Sequence, residues 1–222
     1  VYKGFYNPVG RLDEAFFQEQ TNSNEGWDVI TSGSAVRDGD DVSWNELLTF
    51  AQTQDLSIPA KYDEMAAMLD VDAFIDYLIV ELFTNNADWP NVNWISARER
   101  SATGKWRFFV WDSEFAFREA YLNRIAFDEY PQNRGDGLNG EETEIAWVYR
   151  ALRQNSQFDT RFDQRIKVHL FGAGALAPTN LAARFNELKN EMAMSIPLMD
   201  TFIVDDFMTD RYAVFLNACQ TQ

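Results

Sequence analysis

An α+β fold, with small β-hairpins in the first half and a predominantly helical C-terminal part, follows from three features of this 222-residue sequence. Two β-like runs, Val92 to Arg98 and Lys105 to Trp111, flank a turn containing Ser101, Thr103 and Gly104, the pattern of a hairpin. The segment from Ala73 to Phe83 is apolar around most of its circumference, as a buried central helix must be. Beyond residue 140 helical periodicity recurs near 144–155, 157–171, 180–203 and 206–218, with Gly172, Gly174 and Pro178 as breaks.

The elements follow in order. Tyr2 to Tyr6 reads as a short strand, Asp13 to Gln20 as a helix and Gly26 to Thr31 as a strand carrying Trp27, Val29 and Ile30. Ser32 to Asp41, rich in Gly, Ser and Asp, reads as a loop. Ser43 with Glu46 three residues on has the form of a capping box for the next helix. Pro59 suits a first helical position, and Asp72 is the expected cap of the apolar helix. That helix runs into Thr84-Asn85-Asn86-Ala87-Asp88-Trp89-Pro90-Asn91, whose Asx and Pro content ends regular structure. A second polar stretch, Asp128 to Gly140, reads as a long loop of the kind found over sites.

Composition sets the function classes. Hydrophobic residues make up 46% and aromatics 15%, so a packed core is expected and disorder is excluded. The net charge of −16 repels polyanions, which argues against nucleic acid polymers and anionic membranes as main partners. No segment approaches the roughly 20 apolar residues of a membrane-spanning helix. A lone cysteine, Cys219, permits neither an internal disulfide nor a cysteine metal cluster, and no histidine stands near it in sequence to make it a nucleophile. The opening at Val1 inside a strand-like run reads as an excised piece, with more of the domain expected upstream.

Chemistry concentrates at Asp88, Asn93 and Asp112. An aspartate and an asparagine five apart, then an aspartate at a strand end, is an arrangement used in phosphoryl transfer. There one carboxylate faces the incoming hydroxyl while an amide and a second carboxylate hold a hard cation against the nucleotide phosphates. The hairpin between the segments can fold Asp112 back toward Asn93. On spacing alone the same residues also suit turn-forming Asx side chains at a helix end.

A longer stretch adds to this. Asp72-Ala-Phe-Ile-Asp-Tyr through Glu81 to Asn86-Ala-Asp-Trp-Pro-Asn-Val-Asn93, followed by Gly104-Lys-Trp and Trp111-Asp-Ser-Glu-Phe-Ala-Phe117, resembles the spore coat protein H (CotH) kinase family. The resemblance is less sharp over Tyr2 to Phe16 and Gly26 to Ile30, and covers about the first 120 residues. It implies an atypical protein-kinase-like fold: 1–222 as one domain, with 1–42 a remnant of the N-terminal lobe and 43–222 the C-terminal lobe. It also implies a secreted or cell-surface kinase that transfers the γ-phosphoryl group of ATP to serines of extracellular or coat proteins. On this reading Asp88 is the catalytic aspartate, Asn93 and Asp112 hold Mg²⁺ or Mn²⁺, and Glu114 is a further metal-contacting carboxylate. Arg98, Arg100, Lys105 and Arg107 flank the motif, and of these Arg98 and Lys105 are the candidate nucleotide contacts.

The chain departs from the family where Gly10 stands in place of a glutamate, and no phosphate-contacting lysine can be matched. This keeps a second class of function in view, a kinase-like scaffold in surface or coat assembly that catalyses nothing. A carboxylate-metal hydrolase is a third. Elsewhere His169 reads as a helix-face residue, Trp89, Trp94, Trp106 and Trp111 as core, and Asp38, Asp40 and Asp41 as a solvated turn.

Overall fold

In the computed structural model the described residues are 9–86, 88–113, 116–117, 137–140, 142–192 and 211–216. The readings of Tyr2 to Tyr6, Cys219, most of the 128–140 loop and 193–203 lie outside them.

Helix α1 (Glu14–Thr21) starts where Asp13 accepts the Phe16 amide at 3.0 Å and stops at Asn22, whose left-handed backbone, φ 51°, ends the ladder. Four strands, β1 (Trp27–Thr31), β2 (Ala35–Asp38), β3 (Trp94–Glu99) and β4 (Arg107–Val110), form one antiparallel sheet in the order β2-β1-β3-β4. The expected hairpin is β3 and β4. β2 corrects the reading of 32–41 as a loop. It is a four-residue edge strand whose pairing with β1, irregular between Val29 and Ile30, comes from the neighbouring strand, because its own short sequence, Ala-Val-Arg-Asp, carries no alternating apolar signal.

Alternation along the strands sends residues to both faces. Ile30, Trp94 and Phe108 enter the main core with Trp44, Phe74 and Tyr77, while Trp27, Val29, Ile95 and Ala97 meet α1 on the other side. There Phe17 stacks on Trp27 at 5.0 Å. Trp89, Trp94 and Trp106 are buried, and Trp111 packs half-buried against the smaller cluster.

The helices α2 (Val42–Thr53), α3 (Pro59–Met68) and α4 (Val71–Thr84) precede the hairpin. After it come the single turn α5 (Gly137–Gly140), then α6 (Glu144–Leu152), α7 (Ser156–Leu170) and α8 (Pro178–Met192); residues 211–216 form a further helical segment, α9. Pro59 does occupy the first turn of α3. Two expected caps are displaced. α2 begins one residue before Ser43, with Asp40 accepting the Val42 amide at 3.0 Å, so the Ser43 hydroxyl instead receives Arg98 at 3.3 Å. α4 is capped by Asp70, which accepts from Ala73, and Asp72 sits in the first turn facing Arg161 at 3.6 Å.

α4 is the centre of the molecule, with Phe74, Ile75, Leu78, Ile79, Leu82 and Phe83 all buried. Each such side chain withdraws apolar surface worth roughly 2 kcal/mol. Asp76 ties it to α7, receiving both Arg165 and, at 2.8 Å, the ring nitrogen Nε2 of His169. The sole histidine is thus a member of a partly buried charge cluster and not a bare helix-face residue.

The Asp-rich turn before α2 is structural. Gly39 has φ +70°, and a Cβ there would lie 2.2 Å from Asp28 Oδ1 and 2.6 Å from the Trp27 carbonyl. Asp28 is buried, accepts the Asp40 amide and pairs with Arg98 and Arg100, so it has no room to withdraw. Gly39→Ala is expected to cost roughly 2–4 kcal/mol, read as a lower midpoint in chemical denaturation.

Candidate active site

Strand register assembles the site. Trp94, first residue of β3, pairs with Val110, last of β4, so Asn93 just before one strand and Asp112 just after the other meet at the same end of the sheet. Both have left-handed backbones, φ 64° and 54°, which turn the chain sharply at the strand ends. The Asn93 amide nitrogen donates to the Asp112 carbonyl at 3.0 Å and lies 3.5 Å from Asp88 Oδ2. One carboxamide therefore joins the three sequence-predicted residues.

The loop carrying Asp88 is held from below. α4 ends on Asn85, φ 53°, a conformation asparagine tolerates at a C-cap. Val92 donates back to the Asp88 carbonyl at 3.1 Å, and the buried Trp89, whose peptide to Pro90 is cis, donates its indole N–H to the Tyr77 hydroxyl at 2.7 Å. The chain after Asp112 also returns to α4, with the Phe117 amide on the Thr84 carbonyl at 2.7 Å. Arg211 of α9 donates to the carbonyls of Phe83, at 2.8 Å, and Leu82. Its cation thus sits at the negative end of the α4 dipole.

Beneath the loop lies a group to which sequence reasoning gave no role. Glu81 is fully buried in α4 and accepts Asn86 Nδ2 at 3.1 Å. Burial pushes its pKa up to about 7 against a smaller lowering by the Asn86 bond. The signal was present, since Glu81 stands alone among apolar neighbours, Val80, Leu82 and Phe83, five residues before an asparagine.

Asp112 is exposed and Asp88 half-buried. Asp112 opens onto a cleft of about 580 Å³ whose walls include Gly10, Leu12, Val110, Trp111 and Ser113. Arg37 of β2 stacks over Trp111 at 5.8 Å and donates to the Leu12 carbonyl, bringing a guanidinium to that wall. Only the pairing of β2 reveals Arg37, so no sequence signal singled it out.

Arg98 and Lys105 are elsewhere. Both lie toward the turn of the β3–β4 hairpin, and Arg98 is five residues from Asn93, about 16 Å along a strand. Arg98 is engaged by the Gly104 carbonyl, Asp28 and Ser43, and Lys105 donates to the Ala66 carbonyl at 2.6 Å. The structure does not bring either to the Asp88–Asn93–Asp112 group, because antiparallel pairing carries the hairpin turn away from the strand ends that carry the site. Glu114 lies outside the described residues.

Residues 1–209 match the family model described as CotH kinase protein. The chain belongs to the CotH kinase family. No curated protein matches it. Membership extends the resemblance beyond the first 120 residues into the helical half, though Arg211 lies just past the matched span. It agrees with the α+β class that the helices and antiparallel sheet display. Among the described residues no helix is long and apolar enough to cross a membrane.

Kinase chemistry asks for a divalent cation, and the donor chemistry here fits one. Asn93 uses its nitrogen for both internal bonds, which leaves its amide oxygen as a donor to a cation, and the Asp112 carboxylate is exposed. Among the described residues no group of three or more His, Cys, Asp or Glu side chains makes a complete cage. Two oxygen donors with phosphates and water filling the rest is how hard cations are held in nucleotide sites.

Proposed function

We propose that this CotH-family chain is a protein serine kinase that uses ATP. The observation that carries the reading is the Asn93 carboxamide, which holds the Asp88 carboxylate and the Asp112 strand end in one group beside an open cleft. Asp88 accepts a hydrogen bond from the acceptor serine and takes its proton as the serine oxygen bonds to the γ-phosphorus. The bond from that phosphorus to the β–γ bridging oxygen breaks, and ADP departs with the electron pair. Asn93 and Asp112, with Glu114 as a further carboxylate, would hold the metal. Mg²⁺ or Mn²⁺ bound there would offset the charge of the phosphate oxygens. Arg37 at the cleft wall is better placed than Arg98 or Lys105 to add positive charge beside the nucleotide. The acceptor is a coat or extracellular protein, in keeping with the family, and the site of action is the cell surface or beyond.

One observation favours the scaffold reading. Gly10 lines the cleft at the position where the resemblance implies a glutamate, and a Cβ there would meet the Phe16 ring at 3.0 Å, so position 10 brings no carboxylate to the cleft. Incubation with γ-labelled ATP, Mg²⁺ or Mn²⁺ and a serine-containing peptide library separates the possibilities. Label on peptide or on the chain itself supports the kinase, free phosphate alone supports hydrolysis, and unreacted ATP supports the scaffold.

A further inference from the structure

Two acceptors under the active-site loop lack donors. Glu81 Oε1 and Asn86 Oδ1 are buried without a hydrogen-bond partner among the described residues, although the other two polar atoms of the same side chains, Glu81 Oε2 and Asn86 Nδ2, are joined at 3.1 Å. Buried polar atoms left unpaired are expensive, and two orphans on two bonded side chains have a shared remedy. A carboxylic acid and a carboxamide form a reciprocal pair, with N–H donating to one carboxyl oxygen and the acid O–H donating to the amide oxygen. One proton on Oε1 satisfies both.

We propose that Glu81 is a positioning residue, whose acid form closes a reciprocal hydrogen-bonded pair with Asn86 and thereby holds the loop presenting Asp88 and Asn93. Asn86 stands two residues before Asp88, and the loop is otherwise pinned to α4 by Trp89 on Tyr77. When Glu81 ionises, Oε1 becomes a second anionic acceptor facing an acceptor, and the pair opens on that side. Among the described residues the surrounding groups do not supply the missing donor. Tyr77, whose own ionisation is opposed by burial and by Glu81, receives the Trp89 indole; Arg211 of α9 is directed to the Leu82 and Phe83 carbonyls; Tyr212 packs on Phe83 at 5.1 Å. Asp88 is on the loop above.

The pH dependence has a definite sign. Burial raises the Glu81 pKa from an ordinary 4.5 to about 7, so between these values the folded protein keeps a proton that the unfolded chain releases. Stability from this group is full below about pH 4.5 and is lost as pH rises through about 7. Glu81→Gln keeps the pair without a titrating proton, its amide N–H taking the place of the acid O–H.

The test is thermal unfolding of the ligand-free full chain, parent and E81Q, from pH 5.5 to 8.5. The parent is expected to lose roughly 5–10 °C relative to E81Q across that window. E81A should start lower than the parent at pH 5.5 and converge with it as pH rises. Parallel curves for parent and E81Q would overturn the proposal. An infrared measurement needs no variant: a protonated-carboxyl band in the folded parent at pH 6 that disappears by pH 8.5 is expected, and its absence at pH 6 would overturn it. The positioning role rests on the phosphotransfer reading and is measured separately, by the midpoint rise on adding ATP with Mn²⁺. That rise should shrink with pH in the parent more than in E81Q, and an equal response in both would remove the role in positioning. A rise absent from both at every pH would count against nucleotide binding, and the ligand-free curves would still decide whether the Glu81–Asn86 pair exists.

Discussion

Asp88→Ala is expected to abolish measurable transfer of label from ATP to protein, a loss of roughly 10²–10⁴-fold, while unfolding within a few degrees of the parent. The carboxylate is half-buried, and Asn93 Nδ2 lies 3.5 Å from its Oδ2. Its backbone carbonyl, which receives Val92, is untouched by the substitution. A structural role would give the opposite pattern, with stability falling and residual activity scaling with the folded fraction. The labelled-transfer assay and a thermal scan on the same sample separate these outcomes. ATP and metal binding should survive in Asp88→Ala, because the proposed ligands Asn93 and Asp112 remain.

The largest stability effect is expected away from the chemistry. Arg211→Ala removes a buried guanidinium from the carbonyls of Leu82 and Phe83 at the end of α4. Those carbonyls belong to the last turn, where the intrahelical ladder runs out. Leaving them buried, together with the void left by the side chain, is expected to cost roughly 3–5 kcal/mol, a large share of the stability of an ordinary domain. For a chain of this length that is a fall of about 10 °C in midpoint. Arg211→Lys should recover part of it, since an ammonium keeps the charge at the helix end but not the fork of donors. An unchanged midpoint for Arg211→Ala would mean that water replaces the guanidinium without cost. Because the loop of Asp88 leaves from this turn, the ATP-induced midpoint rise should weaken too.

How much of this the sequence disclosed depends on the kind of signal. Asp88, Asn93 and Asp112 were legible because their proximity follows from local rules: a polar loop leaves an apolar helix, and a hairpin brings its strand ends together. The same hairpin made Arg98 and Lys105 misleading. Adjacent to the motif in sequence, they are carried to the other end of the strands and used there as staples. The displaced cap of α4 at Asp70 reflects a choice between neighbouring aspartates that the Trp106 carbonyl and Arg107, both meeting Asp70, decide from outside the helix. β2 could not be read because its pairing belongs to its neighbour. Arg211 could not be read either, since its contact with Phe83 spans 128 residues and exists only once the helices have packed. Glu81 lay between these cases: an acid alone in an apolar helix is visible, and its partner is found only by folding the loop back.

The central claim is that Asn93 and Asp112 form a metal-dependent nucleotide site, and the most direct measurement is thermal unfolding of the parent and of Asp112→Ala with and without ATP plus Mg²⁺ or Mn²⁺. Ligand that binds the native state raises the midpoint, by an amount equivalent to roughly 2.7 kcal/mol at a hundredfold excess over the dissociation constant. The account predicts a rise in the parent that requires both nucleotide and metal and vanishes in Asp112→Ala, whose ligand-free midpoint falls by only a few degrees because the side chain is exposed and the cost is that of alanine at φ 54°. An equal rise in the two proteins, or none in the parent, would contradict it.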